Sequence, residues 1–418
     1  MATRAAGSKF KVGAAAILAA ALTLSGCATY QMKVHGARES LKFGDTVKAV
    51  ADLEEPANEE GRDQLVYLLD YATTLQKAGR YKESAQAFSR AEKIADIQDY
   101  HSLSKVASSL VLSEEMVQYK GDDYEKVLIN AVNAVNYLEM GNLDGALVEV
   151  RRLNQKLIRF KNEAKKDYEQ NPYGHYLSAI LFEADRKWDD AYISYKNAYD
   201  VAPSYPPLRE DLIRAAIRAQ RPEELEQWQK KFPEVKIKPE WRDPKMGEIV
   251  LVFMQGWGPR KRPRPENPRY PYLVPAPSNT QMAKLVIDDA VEIPSQRVFS
   301  VQDIAIKTLN DDYARLVATR LVGVGVKAVV ADQIAQKDKA LGAIAWIAMN
   351  AMDRADVRQW STLPESFQIA RIAAKPGKYK VKAFGYNWSG TRSGEMMPER
   401  EIEVKAGRKA FVTWRAVQ

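Results

Sequence analysis

The side chains that could do nucleophilic chemistry are one serine–lysine pair and one cysteine. Ser102 and Lys105 have the Ser-x-x-Lys spacing in which a lysine activates a serine hydroxyl. The Ser-Asp-Asn and Lys-Thr-Gly elements that complete such a site are absent from the sequence. The spacing alone therefore does not predict an enzyme, and the cysteine, Cys27, has no second cysteine with which to pair.

Acidic and histidine side chains do not predict a catalytic or metal site either. Three acidic pairs are sequence neighbours, whose side chains diverge on a helix or strand: Glu54-Glu55, Glu114-Glu115 and Asp288-Asp289. Glycan hydrolysis needs two carboxylates that the fold brings together from distant positions in the chain. The sequence neither predicts nor excludes such a pair. With one cysteine and three widely separated histidines, a Cys/His zinc site is not expected: His35, His101 and His175.

Cys27 ends a segment that is typical of an exported protein. A cationic start precedes an apolar run over residues 12–24, which is too short to span a bilayer. Leu24-Ser25-Gly26-Cys27 resembles the lipobox of bacterial lipoproteins. The resemblance implies a signal peptide over residues 1–26 and a diacylglycerol or palmitate-type acyl lipid on Cys27, with no other cofactor. Ala28 in place of Asp implies sorting to the outer membrane. The alternative is a chance cysteine behind a signal peptide that is cut elsewhere.

The charge of the chain is mildly basic. The net charge of +8 includes three basic residues of the signal, which leaves about +5 on the mature chain. This bias does not predict nucleic acid as a partner. Five basic residues lie within a proline-rich segment that favours an extended loop: Arg260, Lys261, Arg262, Arg264 and Arg269. They could bind an anionic lipid or an acidic surface, or simply form a solvated loop.

Residues 27–57 are predicted to form a lipid-anchored tether that leads into a short helix, and residues 58–232 a helical domain. Within this domain Gly79 is followed by an aromatic residue at +2, a small residue at +5, a bulky residue at +9 and a small residue at +12. The same spacing recurs from Gly141 and from Arg186. It is typical of antiparallel helix pairs and resembles the tetratricopeptide repeat (TPR). Irregular spacing between copies implies insertions, and a chance pattern is the alternative. Residues 233–245 read as a linker.

Residues 246–418 are predicted to form a β-rich, sandwich-like domain, so that the whole chain is an α+β multidomain protein. Glu248 to Phe253 is typical of a buried strand, and antiparallel strands follow Pro376-Gly377 and Ala406-Gly407. A helical hairpin over residues 303–356 interrupts the strands. Arg320 and Lys327 break its apolar run, so we expect it to pack on the β-domain rather than span a membrane. Membrane contact or oligomer packing through its Gly and Ala faces is the alternative.

The segment from Ala355 to Pro364, followed by Pro376-Gly377-Lys378-Tyr379, resembles a sequence signature of an uncharacterised family of bacterial outer-membrane lipoproteins with TPR-like repeats. The resemblance implies the two-domain architecture and the envelope location, without an activity. Arg358, Trp360 and Pro364 are candidate partner-binding residues. A structural lock between helix and strand is the alternative for the same residues.

Together these features predict a non-catalytic scaffold on the periplasmic face of the outer membrane. Its lipid would confine it to the membrane surface, and its helical repeats would bind protein partners of an envelope assembly. The alternatives are a binding module for cell-wall glycan (peptidoglycan) or anionic lipid, and an envelope hydrolase with a dispersed site.

Overall fold

The computed structural model describes residues 26–102, 118–163, 171–351 and 354–418. The described part is an α+β protein, as predicted, with helices first and two β-sheets after them. The N-terminal region contains ten described α-helices: α1 Gly26–Lys42, α2 Thr46–Asn58, α3 Gln64–Lys77, α4 Tyr81–Ser102, α5 Asp123–Glu139, α6 Leu143–Glu163, α7 Pro172–Ala184, α8 Trp188–Val201, α9 Pro207–Arg218 and α10 Pro222–Lys231. A 3₁₀ turn, Pro239–Trp241, leads to the sheets.

Residues 27–57, predicted as a tether, are instead helical in α1 and α2. The reason is an apolar stripe on α1 at helical spacing: Tyr30, Val34, Ala37 and Leu41 are all buried. This stripe joins the main hydrophobic core with Leu53 of α2. The N-terminal helices therefore belong to the folded body.

The three helix pairs predicted from sequence are α3–α4, α5–α6 and α7–α8, and they turn in the same way. Gly79, Gly141 and Arg186 have positive φ angles of 75°, 67° and 60°. In each turn the next backbone N–H donates to the carbonyl five residues earlier, which is the bond that closes a helix in the Schellman motif. Gln220 repeats the arrangement between α9 and α10. These shared turns support TPR-like helix pairs.

The C-terminal region has two four-stranded sheets and a two-stranded ribbon. Its elements are β1 Gly247–Gln255, β2 Arg260–Pro263, β3 Pro271–Val274, β4 Met282–Ile287, β5 Val291–Pro294, β6 Gln296–Ser300, α11 Val301–Ala335, α12 Lys339–Ala351, β7 Ser366–Ala374, β8 Gly377–Tyr386, β9 Arg392–Val404 and β10 Lys409–Arg415. The first sheet has the order β10-β1-β7-β6 and the second β5-β4-β8-β9, while β2 pairs with β3. Strand β1 is parallel to β10 and antiparallel to β7.

Strand β1 explains why the two regions form one body. All nine of its residues are buried. Ile249, Leu251 and Phe253 face the core between the two sheets, whereas Val250 and Val252 belong to the core shared with the helices. Because alternate residues of a strand point to opposite faces, the first sheet is a middle layer between the helices and the second sheet.

Candidate functional site

The segment from Ala355 to Pro364, here called the signature segment, lies between helices of the N-terminal region. Trp360 is buried, and its Nε1–H donates to Thr73 Oγ1 of α3 at 2.8 Å. Its backbone N–H donates to Glu125 Oε1 of α5 at 2.8 Å, and its ring packs on Phe88 of α4 with centroids 5.6 Å apart. Gln31 of α1 donates to the carbonyl of Val357 at 2.7 Å. Four helices thus bind one short peptide of the same chain.

Asp70, in the middle of α3, receives the next part of the signature segment. The backbone N–H and the hydroxyl of Thr362 both donate to Asp70 Oδ1 at 2.8 Å, and Tyr30 donates to Oδ2 at 3.0 Å. Burial raises the pKa of Asp70 to about 7, against the lowering effect of the Thr362 bonds. Burial and the nearby Asp122 raise the pKa of Glu125 to about 7 as well. Two buried carboxyl groups therefore hold the segment by its backbone.

Arg358 is 1% exposed and acts inside the molecule. Its Nη1 donates to Asp63 Oδ1 at 2.8 Å, and its Nε and Nη2 donate to Asp356 at 2.9 and 2.7 Å. These carboxylates raise the pKa of the guanidinium against the effect of burial. Lys261 lies beside it, and its Nζ donates to Asp122 Oδ2 at 2.8 Å. The signature segment is thus also held by ion pairs whose cations are buried.

A second set of contacts between the regions centres on Arg371 of β7. Its guanidinium donates to Glu183 Oε2 of α7 at 2.7 Å, to both carboxylate oxygens of Glu248 of β1 at 2.9 Å, and to Asp211 Oδ1 of α9 at 3.2 Å. Lys409 of β10 contacts Glu248 and also pairs with Glu183 at 2.9 Å. All five side chains are almost fully buried.

The charges in this cluster determine its protonation. Arg371 and Lys409 lower the pKa of Glu248 to about 2, in spite of its burial. Together with Arg214, the same cations hold the pKa of Glu183 well below its usual range. Both carboxylates are therefore ionised at neutral pH and satisfied by cations. Such groups are poorly matched to proton transfer at neutral pH, which favours a structural role.

A cavity of about 860 Å³ lies next to this cluster, between α7–α9 and the first sheet. Aromatic and cationic residues line it: Tyr176, Trp188, Tyr205, Trp241, Arg218 and Arg408. Glu183, Glu248 and Arg371 form part of its wall. Asp70 and Glu125, the two carboxyl groups with raised pKa values, are not among its lining residues.

The three candidate partner-binding residues, Arg358, Trp360 and Pro364, are all buried. Arg358 and Trp360 contact the helices of the same chain. A foreign partner could reach them only by displacing the signature segment.

The five basic residues of the proline-rich segment differ in their exposure, and the segment is a two-stranded ribbon rather than a simple loop. Strands β2 and β3 pair across it, so Lys261 is buried, Arg262 is exposed and Arg260 is half-buried. Arg264 stacks on Tyr313 of α11 at 4.5 Å, and Arg269 is half-buried. Because successive residues of a strand point to opposite sides, Lys261 is separated from Arg260 and Arg262.

Cys27 and the Ser102–Lys105 pair are only partly described. Cys27 lies in the first turn of α1, one helical turn before Gln31. Ser102 is the last residue of α4, and Lys105 lies outside the described residues.

Asp70, Glu125 and Arg371 are functional contacts that the sequence patterns do not predict. A signal exists for Asp70, because it interrupts the otherwise apolar run from Leu65 to Tyr71 on a helix, and a buried carboxyl group requires a partner. No comparable signal exists for Arg371, whose carboxylate partners come from three other elements.

Within the described ranges, no group of three or more His, Cys, Asp or Glu side chains is placed to hold a metal ion. Among the helices that the structure describes, none combines the length and apolar character needed to cross a membrane.

Comparison with known proteins gives fold similarity alone. No family model matches the sequence, and no curated protein matches it. Similar solved structures include MamA (41-end) from Desulfovibrio magneticus RS-1, at 14% identity over 49% of this chain and 94% of that chain, with a TM-score of 0.33. A tetratricopeptide repeat protein from Parabacteroides merdae ATCC 43184 is 14% identical over 51% and 82%, with a TM-score of 0.22. These scores are too low to carry an argument, so the TPR-like character rests on the helix turns of this chain.

Proposed function

We propose that the protein is a non-catalytic scaffold, acylated at Cys27 and held on the periplasmic face of the outer membrane, where it binds protein partners of an envelope assembly. The observation that carries the proposal is the seating of the signature segment, a peptide, between α1, α3, α4 and α5 through Asp70, Glu125 and Trp360. Repeats that bind peptides are suited to assembly. Here the repeat helices bind the chain's own peptide.

This internal binding limits where a partner can dock. Nearly every residue of α3, α5 and α7, the first helices of the three pairs, is buried. One side of each contacts its paired helix and the other contacts the C-terminal region. Partners would therefore dock on the second helices, on the hairpin of α11 and α12, or at the cavity near Arg371. The two regions would act together as one rigid platform.

The absence of catalysis in this proposal is supported by the charged cavity wall. Glu183 and Glu248 are kept ionised by arginine and lysine. A hydrolase of the two-carboxylate type needs one protonated acid beside one base.

Fractionation of envelopes tests the anchor, and a pull-down from the same envelopes tests the scaffold. We expect the wild-type protein to fractionate with outer membranes and to incorporate labelled palmitate, whereas Cys27→Ala releases it and abolishes labelling. Ala28→Ser, which leaves the cysteine in place, is the matched control.

After mild crosslinking, the wild-type bait should recover a defined set of envelope proteins that the Cys27→Ala bait recovers weakly. Palmitate labelling of Cys27→Ala would contradict the anchor.

One observation favours the second candidate, a binding module for cell-wall glycan. Trp188, Tyr205 and Trp241 line the cavity beside arginines, and a cavity lined by aromatic residues with a few polar groups suits a small polar ligand such as a sugar. Recovery of glycan without any protein above the control would favour this function over the scaffold.

A further inference from the structure

Two arginine side chains are buried where the N-terminal helices meet the first sheet, and neither has an ion pair within the described ranges. Arg38 of α1 is 3% exposed and Arg415 of β10 is 8% exposed. Three of their nitrogen atoms have no hydrogen-bond acceptor in the described part of the chain: Arg38 Nε, Arg38 Nη2 and Arg415 Nη1. A buried cation without a partner is costly in free energy, so these donors indicate a ligand.

The two unpaired nitrogens of Arg38 form one edge of its guanidinium group. The N–H groups of Nε and Nη2 point the same way and can bind two oxygens of one anion. The same edge of Arg371 binds both carboxylate oxygens of Glu248 at 2.9 Å, and that of Arg358 binds Asp356 at 2.9 and 2.7 Å. Two other buried guanidinium groups of this molecule thus use this edge to bind an oxyanion.

Trp257 brings the two arginines close to each other. Its side chain is buried, and its Nε1–H donates to the carbonyl of Val417 at 2.7 Å. Cζ of Arg38 lies 4.5 Å from the centroid of the Trp257 ring, and Cζ of Arg415 lies 5.3 Å from it. The two Cζ atoms are therefore at most 9.8 Å apart, the sum of these distances. Two guanidinium groups that share one tetrahedral oxyanion, with hydrogen bonds of about 2.9 Å, have their carbons roughly 8 Å apart or closer.

The charges around the pair are also those of an anion site. Arg260 of β2 is a third cation that acts on Arg38, and its Nε has no acceptor among the described residues. Burial and then the charge of Arg260 lower the pKa of Arg38 to about 9. Burial and then the charge of Arg38 lower the pKa of Arg415 to about 9. Both side chains are therefore cationic at neutral pH and repel each other.

The described carboxyl groups that act on the two arginines are engaged elsewhere. The oxygens of Asp70 accept hydrogen bonds from Thr362 and Tyr30. Those of Glu395 accept from one hydroxyl and two backbone N–H groups. Glu39 is 37% exposed and pairs with a lysine of its own helix at 3.0 Å. An anion from outside the described chain would complete the site.

We propose that Arg38 and Arg415 bind one small tetrahedral oxyanion of the phosphate type, with two of its oxygens on Nε and Nη2 of Arg38 and a third on Nη1 of Arg415. Three donor nitrogens match such an anion better than they match a carboxylate, which has two oxygens. Because both side chains are nearly enclosed, the ligand is the free ion or a small phosphate ester. It would join α1 to β10 and, through the bond from Arg415 Nη2 to the carbonyl of Thr362 at 2.9 Å, to the signature segment. The inference depends neither on acylation of Cys27 nor on the scaffold function.

Anion analysis and titration of the full protein in mild detergent test the site. After purification without phosphate or sulfate, the wild type should release one oxyanion per chain on acid denaturation, or bind inorganic phosphate at one site per chain in titration calorimetry with sodium chloride at constant ionic strength. Arg38→Met and Arg415→Met should each weaken binding by about tenfold or more, since each removes charged donors. Arg90→Met, at an exposed position of α4, is the matched control and should bind as the wild type does. Glycerol 3-phosphate as a second titrant distinguishes the sources, because tighter binding than that of inorganic phosphate would assign the site to an ester.

Thermal unfolding gives an independent test. Phosphate should raise the melting temperature of the wild type by several degrees above that in sodium chloride of equal ionic strength, because a ligand of the folded state stabilises it. Without phosphate, Arg38→Met should melt no lower than the wild type, since it removes an unpaired buried charge. Its melting temperature should not respond to phosphate. An equal rise in both proteins would be a general salt effect and would overturn the proposal. So would a wild type that neither carries nor binds an oxyanion, because water would then satisfy the buried donors.

Discussion

At the scale of single residues, the contacts of Asp70 show what a sequence can and cannot reveal. A carboxyl group within an apolar helix signals a buried partner, but the partner, Thr362, lies 292 residues away in sequence. Arg358 and Trp360 were recognisable as unusual residues of the signature segment. Whether they bind a foreign protein or the same chain depends on the packing of distant helices, which single-sequence patterns do not contain.

Asp70 makes a prediction about pH. Its pKa is about 7 in the folded protein and 3.8 in its ordinary environment, so between these values only the folded state binds the proton. Stability must therefore fall as pH rises through 7, and between pH 6 and pH 8 this group alone lowers the free energy of unfolding by ~1.4 kcal/mol. Asp70→Asn should remove that part of the slope. Glu125 shifts in the same direction and should retain its own part.

The measurement is urea unfolding of the wild type and Asp70→Asn at pH 6, 7 and 8. Asp189→Asn, at a side chain that is 70% exposed, is the control and should unfold with the wild-type slope. An Asp70→Asn protein whose pH dependence equals that of the wild type would contradict the prediction, because it would show that Asp70 does not titrate between pH 6 and pH 8.

At the scale of elements, the helix turns were predictable and the N-terminal helices were not. Gly79 and Gly141 stand where a positive φ is required, which explains why the repeat pattern located the turns. Arg186 adopts the same conformation at a cost, and only the surrounding spacing revealed it. Helices α1 and α2 were predicted as a tether because the apolar stripe that begins at Tyr30 is short. Its side chains are buried only against a core that later elements of the chain form.

The signature segment, as an element, predicts a graded series at Trp360. Trp360→Ala should lower the free energy of unfolding by about 3–5 kcal/mol, because it leaves a large cavity between α3, α4 and α5. Trp360→Phe should cost only about 1–2 kcal/mol, since it keeps most of the volume and loses the bond to Thr73. Urea unfolding at pH 7 measures both.

Trp388 provides the contrast, because it is 78% exposed on the second sheet's outer loop. Trp388→Ala should unfold within about 0.5 kcal/mol of the wild type. Equal losses for Trp360→Ala and Trp388→Ala would mean that the signature segment contributes no more to the fold than a surface loop does.

At the scale of the whole molecule, the two-region α+β architecture and the hairpin were predictable from local patterns, whereas the union of the regions was not. Strand β1 was recognised as buried, but its second buried face contacts helices rather than another sheet. Strand β7, which carries Arg371, alternates weakly and was not predicted as a strand. The interface depends on charges from α7, α9, β1, β7 and β10, so no local window of sequence contains it.

This interface gives the last prediction, that Arg371 couples the unfolding of the two regions. Arg371→Leu would leave Glu183, Glu248 and Asp211 buried with too little positive charge, which should cost about 3–5 kcal/mol. Because α7 and α9 would lose their charged contact with the sheet, hydrogen exchange should rise in these helices before it rises around Trp360.

Arg371→Lys keeps the charge but not the geometry of the guanidinium. Its free energy of unfolding should lie between those of Arg371→Leu and the wild type. Lys378→Met, which breaks the exposed pair with Glu401, should leave exchange unchanged. Uniform acceleration of exchange across both regions in Arg371→Leu would show instead that the molecule unfolds as one cooperative unit, held together chiefly by the signature segment.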